Sequence, residues 1–153
     1  MSNSSPQPKP VDLAAHDSLE SLVDLHTLSV DTLRGFQKMS EKAEPEFRPV
    51  VERFCAVHSR HVVRLDTMVR EMGGVPDADG SFMGTLNRAV IGLRAVFDTI
   101  DADVMDNVRN GEDNVLAAFD RALHSSLPQG HQQALTQMQA ELSGLLRETR
   151  QLG

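Results

Sequence analysis

His58 and His61 lie three residues apart in a stretch that reads as a helix, so both imidazoles fall on one face. That face is otherwise apolar, carrying Phe47, Val50, Val51, Phe54, Leu65, Met68 and Met72. Two neutral imidazoles so placed can ligate zinc or another transition metal. The plainer reading is a pair of hydrogen-bonded core histidines. Glu112 raises the same question in a second helix. Val104, Val108, Val115, Phe119 and Leu123 recur at steps of three, four or seven, the spacing of a helix face turned to a core. Glu112 falls on that face, four after Val108 and three before Val115. A carboxylate there needs a cation, a metal, water or a proton. Arg64 and Arg34 are the candidate cations. Gly111, beside it, costs about 1 kcal/mol relative to Ala in a helix interior, which a close neighbouring helix or a local distortion would explain.

The elements that must position these residues are helical throughout. Residues 1–15, with Pro6, Pro8 and Pro10, read as a disordered tail, and residues 16–153 as one domain. Asp17 with Glu20 three later forms a capping box for a helix over roughly 18–42, striped by Leu19, Leu22, Val23, His26, Val30 and Leu33. Pro45 and Pro49 suit only a first helical turn, so the histidine helix runs roughly 46–72. Gly73-Gly74 stops it. Phe82, Leu86, Val90, Leu93 and Phe97 mark a further helix over 82–98, with Met83, Ile91 and Val96 off that stripe. The Glu112 helix runs roughly 102–125. Ser126 as cap and Pro128 near the first position start the last helix, which carries Leu135, Met138, Leu142, Leu145, Thr149 and Leu152 on one side.

Short turns make the first two and the last two long helices antiparallel pairs. The connection between the pairs is long and holds its own helix. The expected fold is therefore all-α: a ferritin-like four-helix bundle with a long crossover, between the second and third bundle helices, that carries an extra helix. In that topology the first and fourth helices rise while the second and third descend. Counting about 1.5 Å per residue from a common end places Asp31, His58, Glu112 and Glu141 near one level. With His61, these are the candidate ligands of a metal site for iron, manganese or zinc.

Local motifs add a resemblance. Asp31 with Gly35-Phe36, the run Val69-Arg70-Glu71-Met72-Gly73-Gly74-Val75-Pro76, Gly80-Ser81 with Gly84, Leu86-Asn87-Arg88, Asn110-Gly111-Glu112-Asp113, Ala122-Leu123 and Leu127-Pro128 follow one another over most of the chain. In their order and spacing, residues from about 19 to 152 resemble an uncharacterised bacterial group of ferritin-like four-helix-bundle proteins, a domain-of-unknown-function family. The resemblance implies the fold more than an activity. The chain departs from the group at Thr32-Leu33-Arg34 and Arg64, where the group tends to carry acids, and at Leu146, near which the group often has a His. Ferritin-like di-iron proteins use Glu-x-x-His on two helices, and the sequence contains no such motif.

Composition narrows the function. A net charge of -7 and 4% aromatic residues disfavour nucleic acid and anionic membranes as partners. No apolar run is long enough for a membrane span or a signal peptide, so the expected location is the cytoplasm. The lone Cys55 excludes an internal disulfide framework and reads as a small core residue. No nucleophile–base constellation or phosphate-cradling glycine loop is present, so no catalytic residue and no cofactor is expected. The expectation is a bundle acting by association, as a homodimer or larger even oligomer or with a protein partner. The alternative is a metal-binding or metal-dependent redox bundle with a reduced ligand set.

Overall fold

The computed structural model describes residues 10–76 and 102–150. These form α1 (Pro10–Lys42), α2 (Arg48–Glu71), α3 (Met105–Leu123) and α4 (Gln129–Glu148), with a single 3-10 turn at Ala102–Val104 leading into α3. No strand occurs among the described residues. The helix expected over 82–98 lies outside them, as do residues 1–9 and 151–153.

The side-chain contacts fix the helix directions. Gly74 sits against Leu19, while Phe36 stacks on Phe54, so α1 and α2 are antiparallel. Arg53 pairs with Glu148, His61 with Glu141, and Glu71 lies near His131, so α2 and α4 are antiparallel too. Gln139 of α4 bonds the Leu116 carbonyl and Asp120 of α3 across their short connection. By contrast, His58 meets Glu112 and His61 meets Phe119: both numbers ascend, and α2 and α3 run the same way. The helices pack in the cyclic order α1, α2, α4, α3. The α2–α3 contacts therefore cross the diagonal, through the core.

Most expected stripe positions are buried, while Leu19, Val23, Leu33, Val50, Met72 and Leu123 are half-buried, and the inward face of α1 includes Leu25, which the expected stripe omits. Leu22 and Leu25 on α1, Phe54 and Leu65 on α2, Val115 and Phe119 on α3, and Leu135 and Leu142 on α4 are all essentially inaccessible. Each large apolar side chain so buried contributes about 1.5–3 kcal/mol. Ends are closed by specific bonds. Arg48 donates from Nε to the Ser40 carbonyl and from Nη2 to that of Ala43, which supplies the last carbonyls of α1 with donors. After α2, Gly73 takes φ +85°; its N–H donates to Arg70 O, and that of Gly74 to Val69 O, the paired bonds of a Schellman stop.

Two boundaries differ from the sequence expectation. The first helix begins at Pro10, not near residue 18, so the stretch 10–15 assigned to a disordered tail is helical. Proline fits a first turn, whose amides have no partner to lose, and nothing in Val11–His16 breaks a helix. Asp17 is consequently an exposed mid-helix residue. At the other end, Pro128 itself is the N-cap of α4, with φ -54° and ψ 146° and no side-chain cap bond. Its carbonyl accepts from Gln132 N at 3.0 Å, so Ser126 is not needed as the cap.

Gly111 is exposed, and a Cβ there would meet nothing within 4 Å, so neither a close helix nor a distortion accounts for it. Gly111→Ala is expected to stabilise the protein by up to about 1 kcal/mol, whereas Gly73→Ala, at a left-handed φ, destabilises it by about 1 kcal/mol. Urea denaturation of the two variants checks both signs.

Candidate functional site

Four helices bring polar groups into an otherwise apolar core. On α2 the stripe positions Phe54, His58, His61, Leu65 and Met68 all face inward. Turned by the same helical period, Glu112 faces inward from α3 between Val108 and Val115. His58 Nε2 and Glu112 Oε2 meet at 2.7 Å, with side-chain exposures of 0% and 1%. Removed from water, such a bond is strong and its loss costly. It uses one atom of each group: His58 Nδ1 and Glu112 Oε1 are buried without a hydrogen-bond partner. The imidazole is clamped by rings. Phe36 of α1 stacks on His58 at 5.6 Å and 16°, and on Phe54 at 4.9 Å and 7°.

His61 forms a second pair, nearer the surface. Its ring is edge-on to His58 at 6.3 Å and to Phe119 at 5.9 Å. Its Nε2 lies 2.9 Å from Glu141 Oε1, and the other oxygen of Glu141 takes Arg60. His61 is 2% exposed and Glu141 42%. Burial, above all, pushes the His61 pKa below the ordinary histidine range; the hydrogen bond and charge of Glu141 act the other way but do not overcome it, and His58 and Arg60 lower it further. For Glu141, burial raises the pKa, yet the bonds from His61 and Arg60 and their charges outweigh it and hold the carboxyl below its usual range. Neutral His61 therefore donates Nε2–H to an ionised Glu141. Its Nδ1, with the free lone pair, is buried and has no hydrogen-bond partner.

The structure thus joins the candidate residues in two pairs, His58 with Glu112 and His61 with Glu141. Asp31 is buried on α1. Among the described residues, no three His, Cys, Asp or Glu side chains are grouped so as to hold a metal ion. The partner of Glu112 is His58 rather than the expected Arg64, which is exposed; Arg34 is half-buried. His26 Nε2 lies 4.0 Å from Asp66 Oδ2, further along α2. Cys55 is half-buried, and burial followed by the Glu52 charge raises its pKa, so it stays a thiol and a poor nucleophile. Sequence reasoning missed the Arg60–Glu141–His61 chain. The i+1 step from Arg60 to His61 carries no helical-face signal, and only the shared depth of His61 and Glu141 could have suggested it.

The model of one protein family, a domain of unknown function (DUF2383), matches residues 17–125. The chain belongs to this family. The match spans most of α1, all of α2 and α3, and the residues between them, and so includes Asp31, His58, His61 and Glu112. Glu141, on α4, falls beyond it. No curated protein and no solved structure matches the chain.

A histidine whose folded pKa is lowered binds its proton less readily in the native than in the unfolded chain. Its contribution is then present above the unfolded value of about 6.5 and declines as pH falls below it. Stability is expected to drop between neutrality and mild acid, by at most about 1.4 kcal/mol per pH unit from this one group. His61→Gln should flatten that stretch of the profile. An equally steep profile in the variant would assign the dependence to another residue.

Proposed function

We propose that this DUF2383 member is a ferritin-like bundle that works by association, with itself or with a protein partner, and not by catalysis. The observation that carries this reading is the use made of the core polar groups. Glu112 is engaged by His58, and Glu141 by His61 and Arg60, so these groups hold helices to one another. The helix directions support the ferritin-like assignment. α2 and α3 run the same way, as the second and third helices of that arrangement do. The sequence of 82–98 supplies the association surface: Phe82, Leu86, Val90, Leu93 and Phe97 form one stripe, and Met83, Ile91 and Val96 fall off it. Apolar surface beyond what one stripe can bury is covered most often by twofold pairing. The reading implies a homodimer or larger even oligomer in a bacterial cytoplasm. No described helix is long and apolar enough to cross a membrane.

A second reading is favoured by one specific feature, the spacing of the donor atoms. Neighbouring ligands held at about 2.1 Å from one ion in octahedral geometry sit about 3 Å apart, close to the 2.7 Å and 2.9 Å of the two histidine–glutamate pairs; tetrahedral zinc would need about 3.4 Å. His61 is kept neutral by burial, and moving its proton from Nε2 to Nδ1 would give the ligand-competent form. Each pair supplies two donors, which fits a site completed by water or by Asp31 and does not fit a full di-iron set. Iron, manganese or zinc bound there would act as a Lewis acid or redox centre.

Light scattering behind a sizing column, with elemental analysis of the same tag-free protein, separates the two. Association predicts an even oligomer at tens of micromolar that is weakened by Ile91→Glu, since a buried unpaired carboxylate is costly, and no stoichiometric metal. A monomeric wild type contradicts self-association. Stoichiometric metal lost in Glu112→Gln would establish the second reading instead.

A further inference from the structure

Neither packing nor backbone geometry calls for a glycine at position 111, which is exposed and where a Cβ would meet nothing within 4 Å. The residue before it, Asn110, is exposed as well. The residue after it, Glu112, is buried and bonded to His58 at 2.7 Å. Asparagine is a thermally labile residue, because its side-chain amide can react with the next backbone nitrogen. Glycine at the next position favours that reaction: it has no Cβ to hinder the nitrogen and takes unusual backbone conformations cheaply. The same helix carries two natural comparisons. Asn107 and Asn114 are also exposed, but each precedes a valine, Val108 and Val115, whose stiff, branched side chain crowds the nitrogen.

We infer that Asn110 is a site of spontaneous covalent modification, converted to aspartate and isoaspartate in the folded protein, and that the isoaspartate form releases the buried Glu112–His58 pair. The Gly111 nitrogen attacks Asn110 Cγ and gives up its proton; the bond from Cγ to the side-chain nitrogen breaks, and ammonia leaves. The five-membered succinimide so formed takes up one water. Opening at Cγ gives aspartate. Opening at the backbone carbonyl gives isoaspartate, in which the main chain runs through the side chain of residue 110 and is one carbon longer. Water is the only co-reactant, and nothing is oxidised or reduced.

In α3 the Gly111 N–H is held by the carbonyl four residues back, as in any α-helix, so the reaction proceeds through local opening of that turn. Two features favour opening. The helix starts nearby at Met105 with no side-chain cap bond from Val104, and glycine in place of alanine makes opening about fivefold more frequent. Val108 and Glu112, buried on either side, close the turn again, which makes the conversion slow. Both products then act on the core pair. A carboxylate at 110 falls four after Asp106 and three before Asp113, and like charges at those spacings oppose a helix. The isoaspartate does more. Its added backbone carbon, just ahead of Glu112, displaces that carboxylate from His58, and a hydrogen bond weakens steeply with distance and angle.

The experiment incubates the full chain for weeks at neutral pH, in buffer and in concentrated urea, and locates isoaspartate by peptide mass mapping and isoaspartyl methyltransferase labelling. In buffer, isoaspartate is expected to accumulate at 110, more slowly than in urea, while residues 107 and 114 remain asparagine. Gly111→Ala and Asn110→Gln should each abolish it. Separated by ion exchange, the isoaspartate form should unfold at a lower urea concentration than the unmodified protein. That deficit should shrink in a chain that already carries His58→Leu and Glu112→Leu, which has no pair to lose. Any of four results would overturn the proposal: conversion at 110 in urea but none in buffer, conversion at 107 or 114 as fast as at 110, an unchanged urea midpoint in the isoaspartate form, or a deficit as large without the pair as with it.

Discussion

A carboxylate and an imidazole, both shut off from water, meet at 2.7 Å in the centre of this bundle, and most of the core is arranged around that contact. Neither group is tolerable there alone. A lone buried charge or unsatisfied polar atom costs several kcal/mol, whereas the bond between the two gives each a partner. The bond also joins helices that the ring order leaves as diagonal neighbours, α2 and α3. Apolar contacts slide at little cost, but a directional bond at a fixed distance does not. The parallel register of α2 and α3 is thus tied to one residue on each.

The neighbouring side chains extend this constraint to the remaining helices. Phe36 stacks on His58 and brings in α1; His61, edge-on to His58, reaches Glu141 on α4. Polar character therefore grades from a dry pair to a half-exposed one, which ends at Arg60 on the surface. The two pairs also differ in what removing a partner would do. Solvent can replace Glu141, which is 42% exposed, so that pair resembles a surface ion pair of modest worth. Glu112 has no such substitute.

How much of this was legible in the sequence follows from helical periodicity. The stripe that contains Glu112 is set by spacing, so its burial could be read directly, and so could the inward faces of His58 and His61. The Gly73-Gly74 stop was legible because few residues take its left-handed geometry. The partner of Glu112 was not, because choosing it requires the rotation of one helix against another. Arg64 has the complementary charge, but it sits between the inward positions His61 and Leu65 and points to solvent. Counting residues along helices put Glu141 at the right depth without revealing that it lies at the edge, one residue before the buried Leu142. The start of α1 was misjudged because prolines, read as breakers, are compatible with a first turn. Family membership adds no chemistry to this account, since DUF2383 is a domain of unknown function.

The central claim is that His58 and Glu112 work as one unit, and a double-mutant cycle on folding stability tests it most directly. His58→Leu, Glu112→Leu and the double variant would be compared with the wild type by urea denaturation. If the pair is a unit, each single change strands a buried polar group and costs about 3 kcal/mol or more, while the double change, which leaves none, costs no more than either. Two single losses that simply add in the double variant would contradict the account, showing that the two residues stabilise the bundle independently.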